Sequence, residues 1–118
     1  MSGPPFTIAP PKTARHGVSD ENIAAGLAAI GRPSLLIVRS AQERIEWAVR
    51  LTALDEERFI YRASERLLRH DTGGSVRFHT VGDDVHCLGG LTFAWACGLD
   101  RLHPADAAFV ASRVRTAP

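Results

Sequence analysis

Lysine is nearly missing from this chain: of 14 basic residues only Lys12 is a lysine, and the rest are arginines. Cysteine occurs twice, and methionine and tyrosine once each. Two cysteines are too few for a disulfide framework, so Cys87 and Cys97 are expected to be reduced, buried small side chains. No C-x-x-C or H-x3-H spacing occurs, which leaves a zinc site without sequence support. No apolar run approaches the roughly 20 residues of a membrane span. The opening MSGPPFTIAPPK lacks the basic region and apolar core of a signal peptide, and a cytoplasmic location is expected. Net charge is only +1, which excludes a global field drawing the protein onto nucleic acid. The arginine bias fits phosphate or carboxylate recognition. It fits a GC-rich coding bias equally well.

What is present suffices for one modest core. A chain of 118 residues with 45% hydrophobic and 23% charged residues has the composition of a single globular domain. Pro4, Pro5, Pro10 and Pro11 argue against regular structure at the start. Residues 1–17 therefore read as an extended Pro-rich arm, and 18–118 as a single α/β domain. Ser19 is placed to cap a helix with Asp20 and Glu21 in its first turn. Ile23, Leu27 and Ile30 would form its apolar face, and Gly31 and Pro33 would end it. Leu35-Leu36-Ile37-Val38 is continuously apolar, which predicts a strand buried on both faces, as in a parallel sheet. Ser40 and Glu43 have capping-box spacing for a second helix. Its expected core face is Ile45, Ala48, Val49 and Thr52, widened by Trp47, Leu51 and Leu54.

After Asp55-Glu56-Glu57 the period changes from 3.6 to 2. Phe59-Ile60-Tyr61 reads as a short strand and Glu65–His70 as another. Asp71-Thr72-Gly73-Gly74 has turn chemistry. Val76, Phe78 and Thr80 then alternate with Arg77 and His79, the pattern of a half-buried strand closing a β-hairpin. Leu91–Cys97 is expected as a further strand after the Gly89-Gly90 bend. Pro104 opens a closing helix with Ala107, Val110, Ala111 and Val114 on one side. Trp47 and Trp95 sit in apolar patterns and are assigned to the core.

In this order the features resemble the ATPase domain of phage large terminases, DNA-packaging motors with a RecA-like P-loop fold. The resemblance spans roughly residues 33–116. It is carried by Gly74-Ser75-Val76-Arg77-Phe78, by Asp83-Asp84-Val85-His86 with Gly90, by Phe93 at the head of a Walker B-like strand, by Asp100 at its end, and by Ser112-Arg113-Val114-Arg115. It implies a small three-layer sheet with flanking helices, a truncated P-loop domain. It also implies a nucleotide site at Lys12, Thr13 and Asp100.

The departures speak against a working ATPase. A P-loop needs backbone N–H groups around the phosphates, whereas Pro10 and Pro11 precede Lys12-Thr13 here and remove donors. A Walker B strand normally ends in two acids, whereas Leu99-Asp100 offers one. No cofactor is expected, with ATP and Mg²⁺ held weakly as the alternative. Arg62, Arg66, Arg69 and Arg77 would line one side of the hairpin and meet phosphates, or serve as a solvated surface. Asp83-Asp84 reads as a solvated turn or helix cap.

The leading expectation is a non-catalytic viral or prophage-derived accessory or structural protein that binds protein or nucleic acid. One alternative is a residual nucleotide-binding enzyme; another is an unrelated small binding module, such as an inhibitor or toxin-antitoxin component. A partner or homo-oligomer is expected because a truncated sheet leaves edges and apolar surface uncovered. Leu35–Val38 or Leu91–Cys97 is the expected exposed element.

Overall fold

Ser19 does cap the first helix: its hydroxyl accepts the Asn22 N–H at 3.2 Å, and α1 runs over Asp20–Ala29. The structure, a computed structural model, describes residues 19–115; the proposed arm, with Lys12 and Thr13, lies outside them. Gly31 follows α1 with φ of 82°, a left-handed conformation that glycine takes without strain. The chain then enters β1 (Pro33–Val38), α2 (Ala41–Leu54), β2 (Phe59–Arg62), β3 (Leu67–His70), β4 (Ser75–Thr80), β5 (Trp95–Cys97) and α3 (Pro104–Ala111). Short 3₁₀ turns at Ala63–Glu65, Val85–Leu88 and Leu99–Arg101 link the later elements.

The five strands form one mixed sheet in the order β2-β3-β4-β1-β5. β1 is central and parallel to both β4 and β5, while β2-β3-β4 is an antiparallel meander. Residues 34–38 of β1 are buried throughout, as the unbroken apolar run predicts for a strand covered on both faces. Leu36 and Val38 join Trp47, Ala48 and Leu51 of α2 and Ala24 and Ala28 of α1 in one cluster. Leu35 and Ile37 point the other way, into a second cluster with Val85, Leu88, Phe93 and Val110. The layers are therefore α1 and α2, the sheet, and then α3 with the Val85–Leu88 turn. The expected α/β three-layer architecture is observed, and so is the β3–β4 hairpin with Val76 and Phe78 buried.

Several local readings are corrected. The α1 face that packs is Ala24 and Ala28, while Ile30 is 67% exposed. The reason lies across the interface. A Cβ on Gly74 would run into the Ala28 carbonyl oxygen and lie 2.7 Å from Ala28 Cα, so α1 sits too close to the hairpin for any side chain larger than alanine. In α2 the core face is Trp47, Ala48 and Leu51, and Ile45 and Val49 are exposed. The expected Leu91–Cys97 strand shrinks to Trp95–Cys97, because the Leu91 N–H still closes the preceding turn on Leu88 O and the chain first reaches β1 when Ala94 N–H bonds Pro33 O. Val114 lies beyond α3 and forms a bridge with Phe93. Leu35–Val38 is covered on both sides and is not an exposed element. Cys87 is exposed and Cys97 buried, and both are free thiols.

Candidate functional site

Three groupings of polar side chains are candidates for chemistry, and each is built by the fold in a different way. The first is the crevice at the carboxyl ends of the parallel strands. α2 leaves β1 towards one face and the chain after β5 turns towards the other, so β1 and β5 flank the kind of switch point where open α/β sheets take ligands. Gly98 ends β5 with φ of 92°, and a Cβ there would stand 3.0 Å from Ile37 O, so the following turn crosses directly over the end of β1. That turn delivers Arg101. Its Nη1 donates to Glu43 Oε1 at 2.6 Å and to Ile37 O at 3.1 Å. Glu43 Oε1 also accepts the Arg39 N–H at 2.6 Å, and Ser40 Oγ accepts the Glu43 N–H at 3.2 Å. Burial raises the Glu43 carboxyl, but the bonds from Arg101 and Arg39 outweigh it and hold the group below the ordinary glutamate range. The N-terminus of α2, which would otherwise suit an anion, is thus already satisfied from within. Asp100 lies in this turn but is exposed, and the structure brings it to neither Glu43 nor Arg39.

The second grouping has the look of a catalytic triad. His70 is buried, with Nε2 2.9 Å from Asp55 Oδ2 and Nδ1 3.1 Å from Thr72 Oγ1. The proton directions decide its role. The Thr72 N–H donates to Nδ1 at 3.2 Å, which fixes the proton on Nε2, facing Asp55. The Thr72 hydroxyl donates to Ala28 O at 2.6 Å and accepts the Gly74 N–H at 3.1 Å. A hydroxyl whose proton points away from the base is not an activated nucleophile. The cluster fastens the ends of α1 and α2 to the hairpin turn, and Phe59 packs edge-on to the imidazole at 4.9 Å. Its role is structural.

The third is the arginine face. Cross-strand pairing aligns Arg62 with Leu67 and Leu67 with Arg77; it aligns Ile60 with Arg69 and Arg69 with Ser75. Directly paired residues share a face, so Arg62, Arg69 and Arg77 all project from the side of the sheet opposite α1 and α2. Arg69 is a diagonal neighbour of both others, at roughly 7–8 Å between backbones. Leu67 is only 7% exposed yet belongs to neither apolar cluster. Its cross-strand neighbours on that face are Arg62 and Arg77, residues whose long aliphatic stems can cover an apolar side chain while the charged head stays in water. Arg62, Arg69 and Arg77 have no ion pair or side-chain hydrogen bond among the described residues.

Arg66, expected with them, is drawn aside. It takes φ of 53° after the Ala63–Glu65 turn, and its Nη1 lies 2.7 Å from Asp83 Oδ2. Asp84 caps the next turn through the His86 N–H at 2.9 Å, in line with the turn-or-cap reading of this acidic pair. Among the described residues no exposed ring of β2, β3 or β4 accompanies the arginines: Tyr61 packs against the α2-side cluster, Phe78 lies within it, and His79, in line with Arg77, is buried.

No family model, curated protein or solved structure matches this chain. The site therefore rests on its own geometry. Among the described residues no group of three or more His, Cys, Asp and Glu side chains is arranged to hold a metal ion. No helix there is long and apolar enough to cross a membrane.

Sequence reasoning missed two features. Arg101 gave no signal, because its partner Glu43 is 58 residues away. Asp20, read as a favourably placed first-turn acid, is buried: it is 3% exposed and accepts the Cys97 thiol at 3.2 Å through Oδ2. Its Oδ1 has no hydrogen-bond partner among the described residues. Burial pushes the Asp20 carboxyl up, and the thiol bond offsets this only in part. Burial and the adjacent carboxylate push the Cys97 thiol far up, so this cysteine is a poor nucleophile at neutral pH.

Proposed function

We propose that this protein works by binding rather than by catalysis, and that Arg62, Arg69 and Arg77 form its contact surface for a phosphate backbone. The single observation that carries the reading is the contrast in how the polar groups are used. Glu43, Arg101, His70 and Thr72 are each committed to internal bonds. Three arginines on one sheet face are left to the solvent side without partners among the described residues. Guanidinium groups suit phosphate oxygens because their planar fork donates two parallel bonds. With no exposed ring beside the arginines among the described residues to stack against bases, the contact is to the backbone and carries little sequence preference. The resemblance to a terminase P-loop domain with a degenerate nucleotide site fits this reading: it yields an accessory or structural protein of viral or prophage origin that binds nucleic acid without turning over ATP.

The test is fluorescence anisotropy with a labelled 20-nucleotide strand and its duplex, comparing the protein with its Arg62→Ala/Arg69→Ala/Arg77→Ala variant. The variant should bind at least about tenfold more weakly to either probe, and to different sequences alike. Equal affinity of the two proteins, or phosphate release from ATP that Lys12→Ala abolishes, would overturn the reading.

A further inference from the structure

We infer that β2 is the seam of a two-fold homodimer in which two copies join edge to edge. This goes beyond the nucleic-acid reading and does not depend on it. The two edges of the sheet differ in length and surroundings: β5 is three residues long, and just before it Phe93 exchanges bonds with the chain at Arg113 and Arg115. β2 has no neighbour among the described residues on its outer side. The Arg58 carbonyl accepts the Asp71 N–H, and alternation along an antiparallel pair then turns the Phe59 and Tyr61 backbone groups outward. An edge with free donors and acceptors is a template for another strand.

The surface above that edge is apolar where the sequence predicted a core. Ile45 is 47% and Val49 63% exposed. With Ala48, Thr52, Ala53 and Tyr61 they line a groove of about 510 Å³ between α2 and the sheet edge, closed at one end by Glu56. The occupant that fits is a second copy, because the charges at the two ends of the groove are opposite. Arg44 stands at its other end, bonded to the Tyr61 hydroxyl at 2.9 Å. A two-fold axis normal to the sheet pairs β2 antiparallel with its copy and lays the two α2 helices antiparallel. Each Arg44 then meets the Glu56 of the other copy, while Ile45 and Val49 of both copies cover one another. α2 is 14 residues, so it is about 21 Å long. With roughly 10 Å from helix to sheet, the seam measures about 210 Å² on each copy and about 420 Å² in total, the footprint of a weak, concentration-dependent contact. The same axis keeps the arginine faces on one side, so six arginines line a continuous ten-stranded sheet.

Sedimentation equilibrium of the purified protein tests this, with far-UV circular dichroism as the control for folding. The wild type should be a dimer at tens of micromolar. Val49→Glu and Arg44→Glu should each raise the dimer dissociation constant at least about tenfold, and Arg44→Glu combined with Glu56→Arg should restore it. A wild type that stays monomeric at several hundred micromolar would overturn the inference, as it would if the edge serves an unrelated protein. So would a dimer that none of these substitutions weakens. The nucleic-acid reading is judged separately, by anisotropy of the Val49→Glu monomer.

Discussion

Replacing Asp20 by asparagine should make the protein more stable at neutral pH and less so in acid. The Asp20 carboxyl is 3% exposed and one of its oxygens has no partner among the described residues. Burial raises its pKa above the ordinary aspartate value. A raised folded-state pKa means that the fold favours the protonated acid. Its contribution to stability is complete below the unfolded pKa of about 3.9 and is lost as pH rises through the raised folded value. Asparagine keeps the shape and never ionises. A buried, unsatisfied acceptor costs about 1–3 kcal/mol, and more when charged. Against this, a carboxylate in the first turn of α1 gains about 0.3–1 kcal/mol from the helix dipole. The Asp20→Asn variant should therefore exceed the wild type by about 1–2 kcal/mol at pH 8 and match it or fall slightly below at pH 4. Glu43, Asp71 and Asp84, which are lowered, titrate alike in both proteins; Glu21, raised by burial and further by the neighbouring Asp20 charge, loses that second contribution in the variant, so the difference reports Asp20 together with its effect on Glu21. Urea denaturation followed by the fluorescence of buried Trp47 across this pH range measures it. A variant less stable than the wild type at pH 8 by 1 kcal/mol or more would refute the reasoning, since it would mean that the carboxylate is ionised and held by a cation.

Gly74→Ala should lose about 3 kcal/mol or more in urea denaturation, because its Cβ meets the Ala28 backbone and α1 must back away; a loss under 1 kcal/mol would mean that the helix is not seated there. Phe78→Ala should cost about 3–5 kcal/mol, the range for a buried aromatic, measured in the same way. Removing either Glu43 or Arg101 should cost about 1.5–3 kcal/mol, and removing both should cost less than the two losses added. The Glu43 term should also fade in acid as pH falls through its lowered pKa, because the bond is made by the ionised carboxylate.

Much of the architecture was legible because it rests on local rules. Ser19, Ser40 and Pro104 mark helix starts by cap chemistry, and the Leu35–Val38 run marks a central strand by its lack of alternation. The hairpin followed from period 2 on either side of a glycine turn. What was not legible depends on which neighbour an element meets. Ile23-Leu27-Ile30 and Ile45-Val49 are good apolar stripes, yet α1 packs through alanines because Gly74 admits the helix backbone, and α2 packs through Trp47 and Leu51. Asp20 was readable as a first-turn acid of α1, and its burial against Cys97 of the distant β5 was not. The arginines were readable as a group from their spacing. That Arg66 leaves it for Asp83 depends on a left-handed residue that sequence does not announce.

The central claim is that three arginines on the β2-β3-β4 face, without partners among the described residues, bind a phosphate backbone, and the salt dependence of duplex binding tests it most directly. Each phosphate neutralised contributes about 0.9 to the slope of log affinity against log salt concentration. Substituting Arg62, Arg69 and Arg77 together by alanine should lower the magnitude of the wild-type slope by about 2–3. Parallel lines for the two proteins, or no measurable duplex binding by the wild type at low salt, would contradict the account.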